Sequence, residues 1–347
     1  MSMRLEARGL HKKFGTVTAV QDFTHNFATG KITAILGPSG SGKSTTLSMI
    51  AGLIEPDDGA VYLDGKDITN LPAEKRDFGL VFQNYSLFPH LSVVENVEFG
   101  LRVRGIGKKE RHQRALEALE RVHIHHLQDR RVQQISGGEQ QRVALARSII
   151  YNPRVLLLDE PLSALDAKLR EALRAELRTL LNALSITAIY VTHDQIEAMS
   201  LGHELIIMQE GKIEQAGPPF EVYSRPISPF VATFLGSANL LEGECVDRGG
   251  HIKLLLPFAE LSVPECTQTG PCRVMVRPED FVIVDAGEGQ VAGEVTSSVF
   301  LGSQSRLTVM ANGYSLAVDA SNVMIPRLGT EVSLRVRETR LCILPKG

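Results

Sequence analysis

The run Gly37-Pro38-Ser39-Gly40-Ser41-Gly42-Lys43-Ser44 carries the most specific chemistry in this chain. Its glycines let successive backbone N–H groups converge on one anion, and a helix starting at its end adds partial positive charge. Lys43 is spaced to reach the β and γ phosphates of a nucleotide, and Ser44 to place a hydroxyl on Mg²⁺. The flanks agree with this reading. Ile32 to Leu36 is apolar and β-branched, a buried strand, and Thr45, Leu47 and Ile50 carry a helical period as far as Gly52.

A second segment, Val155-Leu156-Leu157-Leu158-Asp159-Glu160, is an apolar strand that delivers two carboxylates at its C-terminal end, where open parallel sheets bind ligands. Asp159 is the candidate Mg²⁺ anchor. Glu160, one residue on and pointing to the other side, is placed to orient or deprotonate an attacking water. A third segment, Ile135-Ser136-Gly137-Gly138-Glu139-Gln140-Gln141-Arg142, leads into the helical string VALARSII. It is another Ser/Gly nest at a helix start, able to bind an anion but lacking a lysine or metal ligand of its own. Half a phosphate site implies a second copy of the chain supplying the other half, with two nucleotides sandwiched in a two-fold dimer.

These segments need a scaffold. At 347 residues the chain is long enough for two domains, and 43% hydrophobic with 22% charged residues suits packed cores rather than disorder. Residues 1–236 alternate short apolar runs, among them Ala188 to Thr192, with helical periods, as expected of an α/β domain on a largely parallel sheet. Within it LRVRGIGKKERHQRALEALERV, between Phe99 and Leu127, reads as a solvent-facing helix of an inserted helical subdomain, roughly 84–150. Residues 237–347 change to short extended runs at Arg273 to Val276, Phe281 to Val284, Glu294 to Ser298 and Ser333 to Val336, a small barrel-like β domain.

No apolar run approaches the roughly 18 residues that cross a bilayer, and the start MSMRLEARGLHKKF reads as no secretory signal. A cytoplasmic chain is expected. Residues 1–236 hold 27 basic and 27 acidic side chains, and residues 237–347 hold 10 and 13. Neither part is basic enough for nucleic acid to be the partner. Cys245, Cys266, Cys272 and Cys342 show no metal spacing and are expected to stay reduced, while His123, His125 and His126 read as solvated surface.

The three segments together resemble the ATP-binding cassette family, whose signature is usually Leu-Ser-Gly-Gly-Gln. Here Ile135 and Glu139 replace its first and last residues while Ser136, Gly137 and Gly138 are kept. The resemblance implies a P-loop cassette with an inserted helical subdomain, followed by a small all-β, OB- or TOBE-like domain. It also implies ATP as the bound nucleotide, contacted by Gly37 through Thr45 of one copy and Ser136 through Glu139 of the other. Gln83, after the strand-like Phe78 to Phe82, resembles the glutamine that senses Mg²⁺ and the attacking water. Ser163-Ala164-Leu165-Asp166 resembles the loop that communicates across the dimer, His193 the switch histidine, and Phe14 the aromatic that stacks on adenine.

In the family's importers the region around Tyr85 to Leu91, with Leu87 and Phe88, receives a helix from a membrane subunit. The implied assembly is a homodimer on two permease subunits at the cytoplasmic face of the membrane, served indirectly by a solute-binding protein. Val276-Arg277-Pro278-Glu279-Asp280 resembles the appended β domain of maltose, polyamine and ferric-ion importers. The string Val81 to His90 leans towards the polyamine-like group, with ferric-ion, 2-aminoethylphosphonate, sulfate or sugar import as alternatives. A soluble cassette acting on ribosomes or nucleic acid is the competing class, and a sensor built on the β domain a further one.

Overall fold

The computed structural model describes residues 4–163, 165–249, 251–263, 269–322 and 325–345. The chain forms two compact units, Met1–Pro219 and Phe220–Gly347.

In the first unit, six strands form a sheet in the order Lys212–Gly217, Glu204–Gln209, Ile32–Leu36, Thr187–Thr192, Val155–Asp159 and Phe78–Val81. All pairings are parallel except that of Lys212–Gly217 with Glu204–Gln209. The central strands are apolar throughout because both faces are covered. Leu156, Leu158, Ala188 and Tyr190 enter one core with the helical insertion. Val155, Leu157, Ile189 and Val191 alternate with them into the opposite core. That second core is closed by the helix Lys43–Ala51 and by an antiparallel sheet in the order Val17–Phe27, Leu5–Phe14, Asp58–Leu63 and Lys66–Asp67, which the sequence pattern did not reveal.

The insertion contains two helices where one was expected over 99–127. Val93–Val103 ends and Lys108–Arg121 begins across Gly105-Ile106-Gly107, with Gly105 left-handed at φ +77°. A residue with a Cβ resists that conformation, so the helical period continues through a break that the backbone does not. Ser92 starts the first helix through a capping box with Glu95. The signature helix, Gly137–Ile149, packs behind both, burying Val143, Ala144, Ala146 and Ile149.

The second unit holds two antiparallel five-stranded sheets. One runs Ala259–Ser262, Ile252–Leu256, Asn239–Asp247, Gly270–Val276, Cys342–Leu344, and the other Phe281–Val284, Glu331–Val336, Val291–Phe300, Gln304–Ala311, Tyr314–Ser321. Both contribute to one core through Leu241, Val274, Val295, Leu307, Val318 and Leu334. Residues 220–236, read from the sequence as the end of the first domain, fall in this unit, and Arg277 accounts for it. Its buried guanidinium donates to the carbonyls of Ala232, Gly236, Ser237 and Tyr223 and lies 4.0 Å from the Tyr223 ring centre. Tyr223 donates to Glu279 at 2.7 Å, and burial with that bond pushes its hydroxyl pKa up to about 12. The string Val276 to Asp280 is therefore a clamp. Among the described cysteines, Cys245, Cys272 and Cys342 form no disulfide; Cys266 lies outside the described residues.

Candidate active site

Register brings the site together. Leu36 pairs with Thr192, Asp159 with Val191, and Val81 with Leu158. Four parallel strands thus end level, and the loops that follow them place Gly37 to Ser44, Gln83, Glu160 and His193 along one edge of the sheet.

The phosphate loop needs its glycines at two points. A Cβ on Gly37 would sit 2.4 Å from the Met208 carbonyl oxygen, and one on Gly42 would sit 2.2 Å from that of Ala19, where φ is also +96°. Pro38, Ser39 and Gly40 are exposed at the loop's crest, Ser41 is buried within it, and Thr45 follows Ser44 in the helix's first turn. Lys43 is 6% exposed, and its ammonium donates to the carbonyls of Gly37 (2.8 Å) and Pro38 (2.9 Å). Burial lowers the Lys43 pKa, opposed by the charges of Glu160 and Asp159. Two carbonyls thus hold the lysine over the loop, where a phosphate chain would lie.

The two strand-end acids face different partners. Ser44 donates its hydroxyl to Asp159 Oδ1 at 2.9 Å. Burial raises the Asp159 pKa, the Ser44 bond counters it, Glu160 raises it further and Lys43 lowers it. Glu160 turns away because its backbone is left-handed, φ 45°, held by Glu160 N–H to Val191 O (2.9 Å) and by Ser163 Oγ to Glu160 O (2.8 Å). A non-glycine residue there stores strain of about 1–3 kcal/mol. One oxygen, Glu160 Oε2, receives Gln83 Nε2 at 3.3 Å and lies 3.0 Å from His193 Nδ1. Glu160 and Gln83, expected at the attacking water, and the expected switch histidine His193 therefore meet at one atom.

Elsewhere the expected residues are more scattered. Phe14 closes the strand Leu5–Phe14 with its ring 49% exposed, 5.7 Å from the Lys12 ammonium, so it is not a core residue. Asp166 caps the helix Ala167–Leu184 by accepting from Leu169 N–H at 3.0 Å; Ala164 beside it lies outside the described residues. Ser136 caps the signature helix. Glu139 Oε2 accepts both Ser136 N–H (2.6 Å) and Ser136 O–H (2.8 Å), and Gly137 and Gly138 form the first turn.

The apolar string Tyr85 to Leu91 needs one correction. Tyr85 is 5% exposed and belongs to the core, against which Leu87 also packs, so Tyr85 is not a docking surface. Phe88, its ring tilted against that of Phe99 with centres 4.3 Å apart, and Leu91 are half-buried, and Pro89 and His90 are exposed.

Two residues not singled out in the sequence hold the site in place. Arg147, on the signature helix, donates to the carbonyls of Tyr85 (2.5 Å) and Ser86 (2.7 Å), both left-handed and two and three residues after Gln83. Burial lowers its pKa. Arg147→Ala is expected to leave those carbonyls unpaired, costing about 1–3 kcal/mol in thermal unfolding, and to loosen Gln83 so that ATPase activity falls with it; Arg147→Lys should recover part of both. Glu197, 2% exposed, accepts from Tyr190 (2.9 Å) and Thr192 (2.7 Å), while Thr192 Oγ1 accepts from Asp194 N–H (3.0 Å), fixing the turn that carries His193. Its only sequence signal was its position three residues after the helix cap Asp194.

The geometry has counterparts among known proteins. Residues 20–163 match the ABC transporter family and residues 274–344 the TOBE domain. The chain is 40% identical over 346 residues to the Fe(3+) ions import ATP-binding protein FbpC 1 of Rhizobium meliloti, covering 97% of this chain and 96% of that one. It is 39% identical over 349 residues to the spermidine/putrescine import ATP-binding protein PotA of Acetivibrio thermocellus, covering 99% and 96%. Among solved structures it resembles the dimeric, ADP- and Pi-bound post-hydrolysis state of the ATP-binding cassette MJ0796, with a TM-score of 0.55 and 34% identity over 62% of this chain and 98% of that one. A shared phosphate loop alone would not give similarity along nearly the whole of an import protein, and this chain belongs to the ATP-binding cassette transporter family, as an importer ATPase that carries a TOBE domain.

Proposed function

We propose that two copies of this ATPase close on two ATP molecules, each pocket built from residues 37–45 of one copy and Ser136 to Gly138 of the other, and that closure drives a pair of membrane permease subunits. The observation that carries this reading is the division of labour within one chain. Lys43, Ser44, Asp159 and Glu160 gather at one sheet edge, while among the described residues no lysine or strand-end acid is bonded to the Ser136 nest. Phe14 is offered as the adenine platform and Asp166 as part of the loop facing the other copy.

Ser44 and Asp159 place two oxygens 2.9 Å apart, a hard donor pair that suits Mg²⁺ completed by phosphate oxygens and Gln83. Bound there, the ion would supply positive charge against the β and γ phosphates. The chain's own residues do the rest. Lys43 and the helix start hold the phosphate chain, Glu160 takes up or orients the water proton, and Gln83 and His193 position Glu160 through its Oε2. Closure excludes solvent, which strengthens each of these interactions.

Among the described residues no helix is long and apolar enough to cross a membrane. We place the chain at the cytoplasmic face of the membrane through permease contacts at Leu87 to Leu91, with a solute-binding protein acting on the far side. The cargo we favour is a small cation of the polyamine group, carried by the string Val81 to His90. Ferric ion is the second reading, supported by the likeness to the Fe(3+) ions import protein, which is as extensive as that to the spermidine/putrescine one. The test is to purify the chain with its permease and measure ATPase activity with each binding protein, loaded and empty. Stimulation by a polyamine-loaded protein supports the first reading, stimulation by a ferric-loaded protein replaces it with the second, and no stimulation by any loaded protein defeats the importer assignment.

A further inference from the structure

The signature nest is occupied by the chain's own carboxylate. Glu139 Oε2 takes the Ser136 N–H at 2.6 Å and the Ser136 hydroxyl at 2.8 Å, while Ser136 Oγ accepts the Glu139 N–H at 3.3 Å. The hydroxyl that a partner's phosphate would need is therefore already donated. The arrangement is a capping box, and a glutamine in the fifth position would close the same box through its amide oxygen. What Glu139 adds is a full negative charge, at the point where a triphosphate would approach. The guanidinium acting on Glu139 is that of Arg142, three residues on and on the same helix face. A displaced carboxylate has that guanidinium to turn to, although Arg142 also donates to Val122 O and Glu176.

We propose that Glu139 is an internal counter-anion that holds the Ser136 nest until the partner copy's nucleotide displaces it, so that this chain closes only at higher ATP than its geometry alone would require. The proposal rests on the split-site reading above. It makes Glu139 a positioning residue that acts through Ser136, and it reverses the sequence expectation that the fifth signature residue contacts nucleotide directly.

The experiment uses the full chain in a Glu160→Gln background, in which hydrolysis does not deplete ATP. Dimer formation is followed by sedimentation across an ATP titration, with and without Glu139→Gln, at low and high salt. Removing the charge while keeping the cap is expected to lower the ATP concentration for half-maximal dimer by roughly 5- to 50-fold. The gain should shrink as salt screens the charge, with the thermal midpoint and monomer nucleotide affinity unchanged. A cap-only role predicts no shift in half-maximal ATP, and that result overturns the proposal while leaving the split site standing. If neither chain dimerises with ATP, the split site itself falls and takes the proposal with it.

Discussion

Glu160→Gln is expected to bind ATP as the parent chain does, to lose turnover by about 10²- to 10⁴-fold, and to accumulate as an ATP-bound dimer. The reason lies in where the carboxylate points. Glu160 makes no hydrogen bond to the phosphate loop, whose lysine is held by Gly37 and Pro38, so its loss should leave the ground-state grip on nucleotide intact. An amide occupies the same volume and can keep contact with Gln83 and His193, but it cannot accept a proton from water. Removing the like charge beside Asp159 also relieves a repulsion that raises the Asp159 pKa, which favours binding further. Equilibrium binding, steady-state phosphate release and sedimentation on the same preparation separate the three effects. A variant that hydrolyses at the parent rate, or that loses binding and turnover together, contradicts the assignment of Glu160.

The sheet edge was legible in the sequence because its determinants are local. Gly37 to Ser44 needs small residues at fixed offsets, and Val155 to Leu158 is apolar on both faces because both faces are buried. The strands Ile32–Leu36 and Phe281–Val284 fall where the patterning put them. What the sequence hid depends on contacts distant along the chain. Nothing local distinguishes Arg147 from other basic residues, and only packing brings it to the carbonyls of Tyr85 and Ser86, about sixty positions earlier in the chain. Glu197 carries no local signal of burial, since the hydroxyls of Tyr190 and Thr192 that bond it come from the strand before its helix. The antiparallel sheet went unread because Leu5–Phe14 and Val17–Phe27 contain irregular register shifts and alternate imperfectly. Tyr85 misled for the opposite reason, since an aromatic beside a loop glutamine reads as surface while its left-handed backbone, φ 59°, turns the ring into the core.

Ser136→Arg is expected to leave ATP affinity of the isolated chain nearly unchanged and to abolish both ATP-driven dimerisation and hydrolysis. Ser136 is exposed at the start of the signature helix, and among the described residues its side chain bonds only within its own turn, so a bulky side chain there costs a cap, worth about 1 kcal/mol, without disturbing the phosphate loop. The decisive version mixes two dead chains. Lys43→Ala cannot hold phosphate in its own loop but keeps an intact nest, and Ser136→Arg has the reverse defect. In a dimer of one of each, the Lys43 of the second chain faces the Ser136 of the first, and one complete site is restored. Random pairing of equal amounts places such dimers at half the population with one of two sites alive, so up to about a quarter of parent turnover should return on mixing. If each chain instead completed its site alone, the mixture would stay as inactive as its parts, because every chain in it carries a lesion in its own pocket.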